Sequence, residues 1–329
     1  MNGLKPCSVR ALPVRGSDRV DPWSALAVMM GCFVGFHFLS ELLVDATVGL
    51  ARKYGLSESV AGATLAAIGT SAPEFGSSLS SILLEHPNVG VGTILGSAVY
   101  NVTVIPGLAA LAAGGLTLER AVYRRDVLFY LLALVVVLVS LWDRVVLRVE
   151  ALAWVALYGL YVLLMRRTDE STIGAEGDTG EASLRSLVVR VSVAVVGIAA
   201  LSDLMVRATV DFCEGFGLSE SRVSLLLNAA GTSVPDTLAS VHAARRGFGS
   251  LAVSNAVGSN TFDLLVCLGV PLSLVSRTPV HGELGATVLA LVGCVVLLYL
   301  VTVDGKLRNV EALALLGAYA AFVACLLVL

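Results

Sequence analysis

Ten stretches of this chain are apolar over about twenty residues or more, at roughly 24–51, 58–84, 88–113, 124–142, 146–165, 184–213, 220–244, 250–275, 284–303 and 309–328. Each is long enough to cross about 30 Å of hydrocarbon as a helix rising about 1.5 Å per residue. Inside lipid every backbone amide needs a partner within the protein, so segments of this kind span as helices. The fold expected is therefore an all-α integral membrane protein with ten transmembrane helices. Composition agrees, since only 14% of the 329 residues are charged, against about 25% in a soluble domain. A large soluble enzyme is thereby disfavoured. Residues 1–21 carry Lys5, Arg10, Arg15 and Arg19 with no short apolar core after them, which reads as a polar tail and not a signal peptide. The one hydrophilic interruption, 166–183, is a polar loop dividing five spans in 22–165 from five in 184–329.

Sliding the chain on itself by 162 positions aligns 39–107 with 201–269 without a gap, and about a third of the pairs are identical. Gly55-Leu56-Ser57-Glu58-Ser59 returns as Gly217-Leu218-Ser219-Glu220-Ser221, and Gly69-Thr70-Ser71-Ala72-Pro73-Glu74 as Gly231-Thr232-Ser233-Val234-Pro235-Asp236. Because five is odd, the second copy enters the membrane upside down. The architecture expected is thus two inverted five-helix repeats, the arrangement of secondary transporters with a substrate site at the midplane. With the amino terminus outside, the inward loops hold basic residues such as Arg52, Lys53, Arg124, Arg125, Arg245, Arg246 and Lys306, and the outward loops hold only Arg144, Arg148, Arg222 and Arg277. That bias follows the positive-inside rule.

The repeated motifs concentrate polar groups where lipid makes them costly. Thr70 and Ser71 lie four and three residues before Glu74, on one helical face. Pro73 lacks an amide hydrogen, so the carbonyl of Gly69 loses its helical partner and neighbours such as Ala67 can tilt away with it. Thr232, Ser233, Asp236, Pro235 and the carbonyls near Ala229 repeat the pattern. In the next span of each half, Ser97 and Asn101 match Ser259 and Asp263, each pair four apart, beside Gly96 and Gly258, which let helices approach closely. Hydroxyls, carboxylates and carbonyls together are hard oxygen ligands, the type that Na⁺, K⁺ and Ca²⁺ prefer.

A lone Ser or Thr in a membrane helix more often bonds its own backbone than an ion, and proline kinks are common there. The recurrence in both halves favours binding instead. Glu74, Asp236 and Asp263 have no cationic residue nearby in their own spans, so a cation is the natural counter-charge. Asp203 and Arg207, four apart, read as a helical ion pair, and Trp23, Trp142 and Trp154 as an aromatic belt. The scattered cysteines, Cys7, Cys32, Cys213, Cys267, Cys294 and Cys325, show no metal spacing and read as small buried hydrophobes.

At these residues the chain resembles the cation/Ca²⁺ exchanger superfamily, and most of all its K⁺-dependent Na⁺/Ca²⁺ exchangers. The likeness is carried by Asn88–Asn101, Ala229–Val241 and Ser254–Val266. It implies that Glu74 and Asp236 are the central carboxylates bridging Ca²⁺ and Na⁺, with Thr70, Ser71, Thr232 and Ser233 supplying hydroxyls or carbonyls. It further implies that the Ala67 and Ala229 carbonyls complete Na⁺ sites, and that Ser97, Asn101, Ser259 and Asp263 line the same cavity. An acid at the position of Asp263 goes, in that family, with K⁺ dependence. Asp236 departs from the Glu of many prokaryotic relatives.

The function expected is an antiporter in the cell membrane, exchanging Na⁺ for Ca²⁺ with K⁺ carried beside Ca²⁺, with the first and sixth spans moving to open each side in turn. A K⁺-independent or Ca²⁺/H⁺ exchanger on the same fold is the alternative, and a passive channel a more distant one. No cofactor, enzyme activity or nucleic-acid partner is expected. The partners are small inorganic cations and the lipid bilayer, and the chain is expected as a monomer or weak oligomer.

Overall fold

The computed structural model describes residues 21–53, 70–118, 126–168, 183–280 and 284–328. They are mostly helical. In chain order they form α1 (Pro22–Lys53), α2 (Ala72–Leu83), α3 (Pro87–Ala113), α4 (Leu128–Ser140), α5 (Arg148–Thr168) and α6 (Leu184–Phe216). There follow α7 (Glu220–Val223), α8 (Ala229–Thr232), α9 (Val234–Arg245), α10 (Gly249–Phe262), α11 (Gly269–Ser273), α12 (Leu284–Thr302) and α13 (Asn309–Val328). Among the described residues five helices are long and apolar enough to cross a membrane.

Helix α3 is the axis of the bundle. It is apolar on every side, as a helix buried all round must be, and it packs on α2, α9, α10, α12 and α13. Gly114, in the left-handed region at φ 74°, ends it, which glycine adopts without the steric cost of a Cβ. The apolar interior is divided in two. One large cluster runs through α3, α4, α5, α10, the segment 263–267, α12 and α13, around Ile94, Leu95, Tyr130, Trp154, Leu264 and Leu298. A separate cluster joins α1 to α6 through Met29, Phe33, Phe36, Ile198 and Met205. Helices α1 and α6 therefore pack chiefly on each other, at the side of the main bundle.

Besides the 58–84 span, which breaks at Ser71, two spans that the sequence marks as continuous are interrupted among the described residues. The 220–244 span passes through a π turn at Ser224–Asn228 and breaks at Ser233, with φ −81° and ψ 4°, just before Pro235. The 250–275 span passes through a π turn at Asp263–Cys267, where Leu268 N donates to the Asp263 carbonyl at 3.0 Å. Such turns widen the helix by one residue and gather at functional sites.

Hydropathy also gives no sign of four short strands. β1 (Leu116–Thr117) pairs antiparallel with β4 (Lys306–Leu307), and β2 (Val145–Leu147) with β3 (Arg277–Pro279). Trp154 corrects the aromatic-belt expectation: it is fully buried and donates its Nε1–H to Ser140 Oγ at 3.2 Å, whereas Trp23 and Trp142 are exposed. Cys32, Cys213, Cys267 and Cys294 are buried, but Cys325 is exposed. The expected Asp203–Arg207 pair forms, with Arg207 Nε donating to Asp203 Oδ2 at 2.8 Å.

Candidate cation site

Prolines at the first turn of α2 and α9 start both helices beside the same point. Proline suits that position because its missing N–H has no helical acceptor there anyway. Pro73 and Pro235 follow Ser71 and Ser233, each with near-zero ψ, so the helix axis breaks between the hydroxyl pair and the carboxylate. The Ser71 and Ser233 carbonyls then accept from Phe75 N and Thr237 N, both at 3.0 Å.

The halves exchange contacts there. Ser233 Oγ donates to Glu74 Oε1 at 3.5 Å, and the Thr70 hydroxyl reaches Asp236. Within the second half, Ser259 Oγ donates to Asp236 Oδ1 at 2.9 Å and Asn255 Nδ2 donates to the same oxygen at 3.4 Å. Glu74, Asp236 and Asp263 are all 0% exposed and close enough for mutual repulsion. Among the described residues the ion pairs all lie elsewhere, so no basic side chain neutralises the three acids.

Several polar atoms of this group make no hydrogen bond within the protein: Ser71 Oγ, Glu74 Oε2, Asp236 Oδ2, Asp263 Oδ2 and both side-chain polar atoms of Asn101. Such buried groups ordinarily find partners. Among the described residues no three His, Cys, Asp or Glu side chains form a metal-holding cluster by themselves. A cation here must therefore draw on hydroxyl, amide and carbonyl oxygens as well as carboxylates, which is what hard cations accept.

Two expected ligands also bond within their own helices. Ser97 Oγ donates to Ile94 O (3.0 Å), and Thr232 Oγ1, which reaches Glu74 as well, donates to Asn228 O (3.0 Å). The Ala229 carbonyl is not freed by the kink, because it accepts from Ser233 N at 3.2 Å. Ala67 and Gly69 lie outside the described residues. The two glycines differ as well. A Cβ on Gly96 would lie 2.2 Å from the Leu225 carbonyl oxygen, whereas among the described residues nothing lies within 4 Å of one on Gly258.

Sequence reading missed Asn255 and Cys267. Asn255 precedes Ser259 by four residues and Cys267 follows Asp263 by four, so helical spacing from the motif is the signal that could have found both. Beside the site, a cavity of about 530 Å³ separates α1 from α9. His37, Glu41 and Asp45 line one wall, His242 and Arg245 the other, and it ends at Thr70.

A helical bundle with this geometry is known among membrane ion exchangers. The solved sodium-calcium exchanger NCX_Mj, soaked with Na⁺ and Sr²⁺, superposes with a TM-score of 0.66 at 22% identity, covering 92% of this chain and 98% of that one. The likeness establishes the fold. The family described as sodium/calcium exchanger protein matches residues 24–166 and again 186–328, and the chain belongs to it. The chain is 26% identical over 296 residues to an uncharacterized membrane protein of Methanocaldococcus jannaschii, across 88% of this chain and 94% of that protein. To the inner membrane protein YrbG of Escherichia coli it is 30% identical over 245 residues, across 71% of this chain and 75% of that protein. A shorter match, 39% over 127 residues, is to human sodium/potassium/calcium exchanger 2, across 38% of this chain and 19% of that protein. This is a multi-pass integral membrane protein of a cation/Ca²⁺ antiporter family.

Proposed function

We propose that this protein exchanges Na⁺ for Ca²⁺ by alternating access, with K⁺ carried beside Ca²⁺. The binding site in this reading is built from Glu74, Asp236 and Asp263 with Thr70, Ser71, Thr232, Ser233, Ser97, Ser259 and Asn101, and carbonyls near Ala67 and Ala229. One observation carries it: three mutually close, fully buried carboxylates have no basic partner among the described residues. Three negative charges balance Ca²⁺ plus K⁺, and two balance Ca²⁺ alone. Because the ions use overlapping oxygens, Na⁺ and Ca²⁺ displace each other, and coupling needs no separate device.

In the same reading the chain has ten spans as two inverted halves, 22–165 and 184–329, around a loop at 166–183. Two observations support it. The family matches begin at 24 and 186 and end at 166 and 328, so both limits repeat at the 162-residue offset. The β1–β4 pair, moved by the same offset, falls on β3–β2 to within one residue. Helices α1 and α6, with their own apolar cluster, are the parts that slide against the bundle. With Arg245 facing inward, the cavity between α1 and α9 is the cytoplasmic approach to Thr70.

The test is Ca²⁺ flux in proteoliposomes under crossed Na⁺, K⁺ and pH gradients. Na⁺-driven flux should require K⁺ on the Ca²⁺ side. Flux driven equally by a pH gradient without Na⁺ contradicts the reading and favours a Ca²⁺/H⁺ exchanger, and single-channel currents favour a channel.

A further inference from the structure

We propose that Cys267 is a further residue of the cation site, and that its sulfur gives the site a preference for thiophilic divalent cations of the Cd²⁺ kind over Ca²⁺. This rests on the cation-site reading above. Cys267 is 0% exposed and closes the π turn that Asp263 opens. Its thiol donates to Asp263 Oδ1 at 3.4 Å and lies 3.8 Å from the Ser71 carbonyl oxygen. The sulfur thus joins the second half's acid to the first half's broken helix.

Two fully buried atoms beside it, Asp263 Oδ2 and Ser71 Oγ, make no hydrogen bond within the protein. A carboxylate and a carbonyl thus lie within 3.8 Å of the sulfur, and the Ser71 hydroxyl reaches the same carboxylate. Hard Ca²⁺ gains little from sulfur, while a softer ion of similar charge gains a strong bond. The matched position in the first half is Ile105, so the sulfur acts on one side of the site only. Cys267 shares an apolar cluster with Cys294, Cys32 and Cys213 lie in the other cluster, and Cys325 is exposed; what distinguishes Cys267 is its contact with Asp263 and the Ser71 carbonyl. On binding, the Cys267 S–H bond breaks and an S–Cd bond forms. One proton passes to water, and nothing is oxidised or reduced.

The experiment uses the full chain with Cys7→Ser and Cys325→Ser, which remove the exposed thiol and the one outside the described residues. Purified protein is titrated with CdCl₂ while the ultraviolet thiolate-to-Cd²⁺ charge-transfer band is followed. The ratio of the Cd²⁺ concentration for half-inhibition to the Ca²⁺ concentration for half-saturation is measured in proteoliposomes. A band that Ca²⁺ competes away is expected. Cys267→Ser should abolish it and raise the ratio about tenfold or more, whereas Cys294→Ser should keep the band. A band that survives Cys267→Ser, or never forms in the parent, overturns the proposal. So does an unchanged ratio. Should Cys267→Ser not fold, Cys267→Ala and the parent's Ca²⁺-competed band decide. Na⁺-driven flux with no sulfur effect refutes the role of Cys267 alone. A Ca²⁺-competed band without Na⁺-driven flux refutes the exchange reading alone.

Discussion

Gly96 and Gly258 hold matched places in the two halves, yet alanine at each should act in opposite directions. At Gly96 a new Cβ would lie 2.2 Å from the Leu225 carbonyl oxygen, 2.7 Å from Ala229 Cβ and 2.8 Å from the Leu225 carbonyl carbon. Restoring ordinary contact forces α3 away from the Ser224–Asn228 turn by roughly 1 Å, because packed interiors have no slack to absorb it. Overpacking of this kind costs about 1–3 kcal/mol. Among the described residues nothing lies within 4 Å of a Cβ at Gly258, so none of them opposes it. Both substitutions gain the same helix propensity, about 1 kcal/mol, so it cancels in the comparison. Gly96→Ala should therefore be less stable than Gly258→Ala by about 1–3 kcal/mol. It should also lose flux, because the shift falls next to Ser97. Thermal unfolding of the two purified variants in detergent, with Na⁺-driven Ca²⁺ uptake, measures both. Equal melting temperatures, or a less stable Gly258→Ala, would refute the close approach of α3 to this turn.

Asp263→Asn should remove the requirement for K⁺ while leaving Na⁺-driven Ca²⁺ uptake, read by varying K⁺ on the Ca²⁺ side. Glu74→Gln leaves the remaining site unbalanced; breaking a buried charge pairing costs about 3–5 kcal/mol, so Ca²⁺ binding should weaken by roughly two to three orders of magnitude, as isothermal titration would record. Trp154→Ala should destabilise the fold by about 3–5 kcal/mol, and Trp154→Phe by less, in the same thermal assay. Asp304, in the loop before β4, is held below the usual carboxylate range, first by the Lys306 backbone N–H and then by Arg308. A lowered folded-state pKa stabilises above the unfolded value and is lost as pH falls through the folded one. The protection of the Lys306 amide, measured against its intrinsic exchange rate at each pH, should thus fall only on acidification below the ordinary carboxylate range.

The multi-pass helical membrane character was legible because lipid imposes one rule on every residue: a segment must be long, apolar and internally bonded. The repeated motifs were legible for a related reason, since Thr70, Ser71, Glu74 and their partners stand out where polar atoms are costly. What sequence leaves open is how two helices face each other. Gly96 and Gly258 look alike in the chain, but among the described residues a carbonyl is pressed against Gly96 and none against Gly258. Trp154 looks like a belt residue because its span is apolar throughout, and hydropathy cannot say which side meets protein instead of lipid. Cys267 was read as a small hydrophobe because sulfur is nearly apolar, and its contact with Ser71 spans a separation of 196 residues. The π turns depend on one shifted backbone bond each, which no side-chain pattern encodes.

Each of the four short strands bonds to a strand from the other half of the chain: β1 to β4 and β2 to β3. None of them belongs to α1 or α6. The two halves are therefore clasped by pairings of the sort that join separate subunits, and the peptide linkage through 166–183 is not the only thing keeping them together. Two polypeptides, cut within that loop and made in the same cell, should find each other and rebuild one transporter.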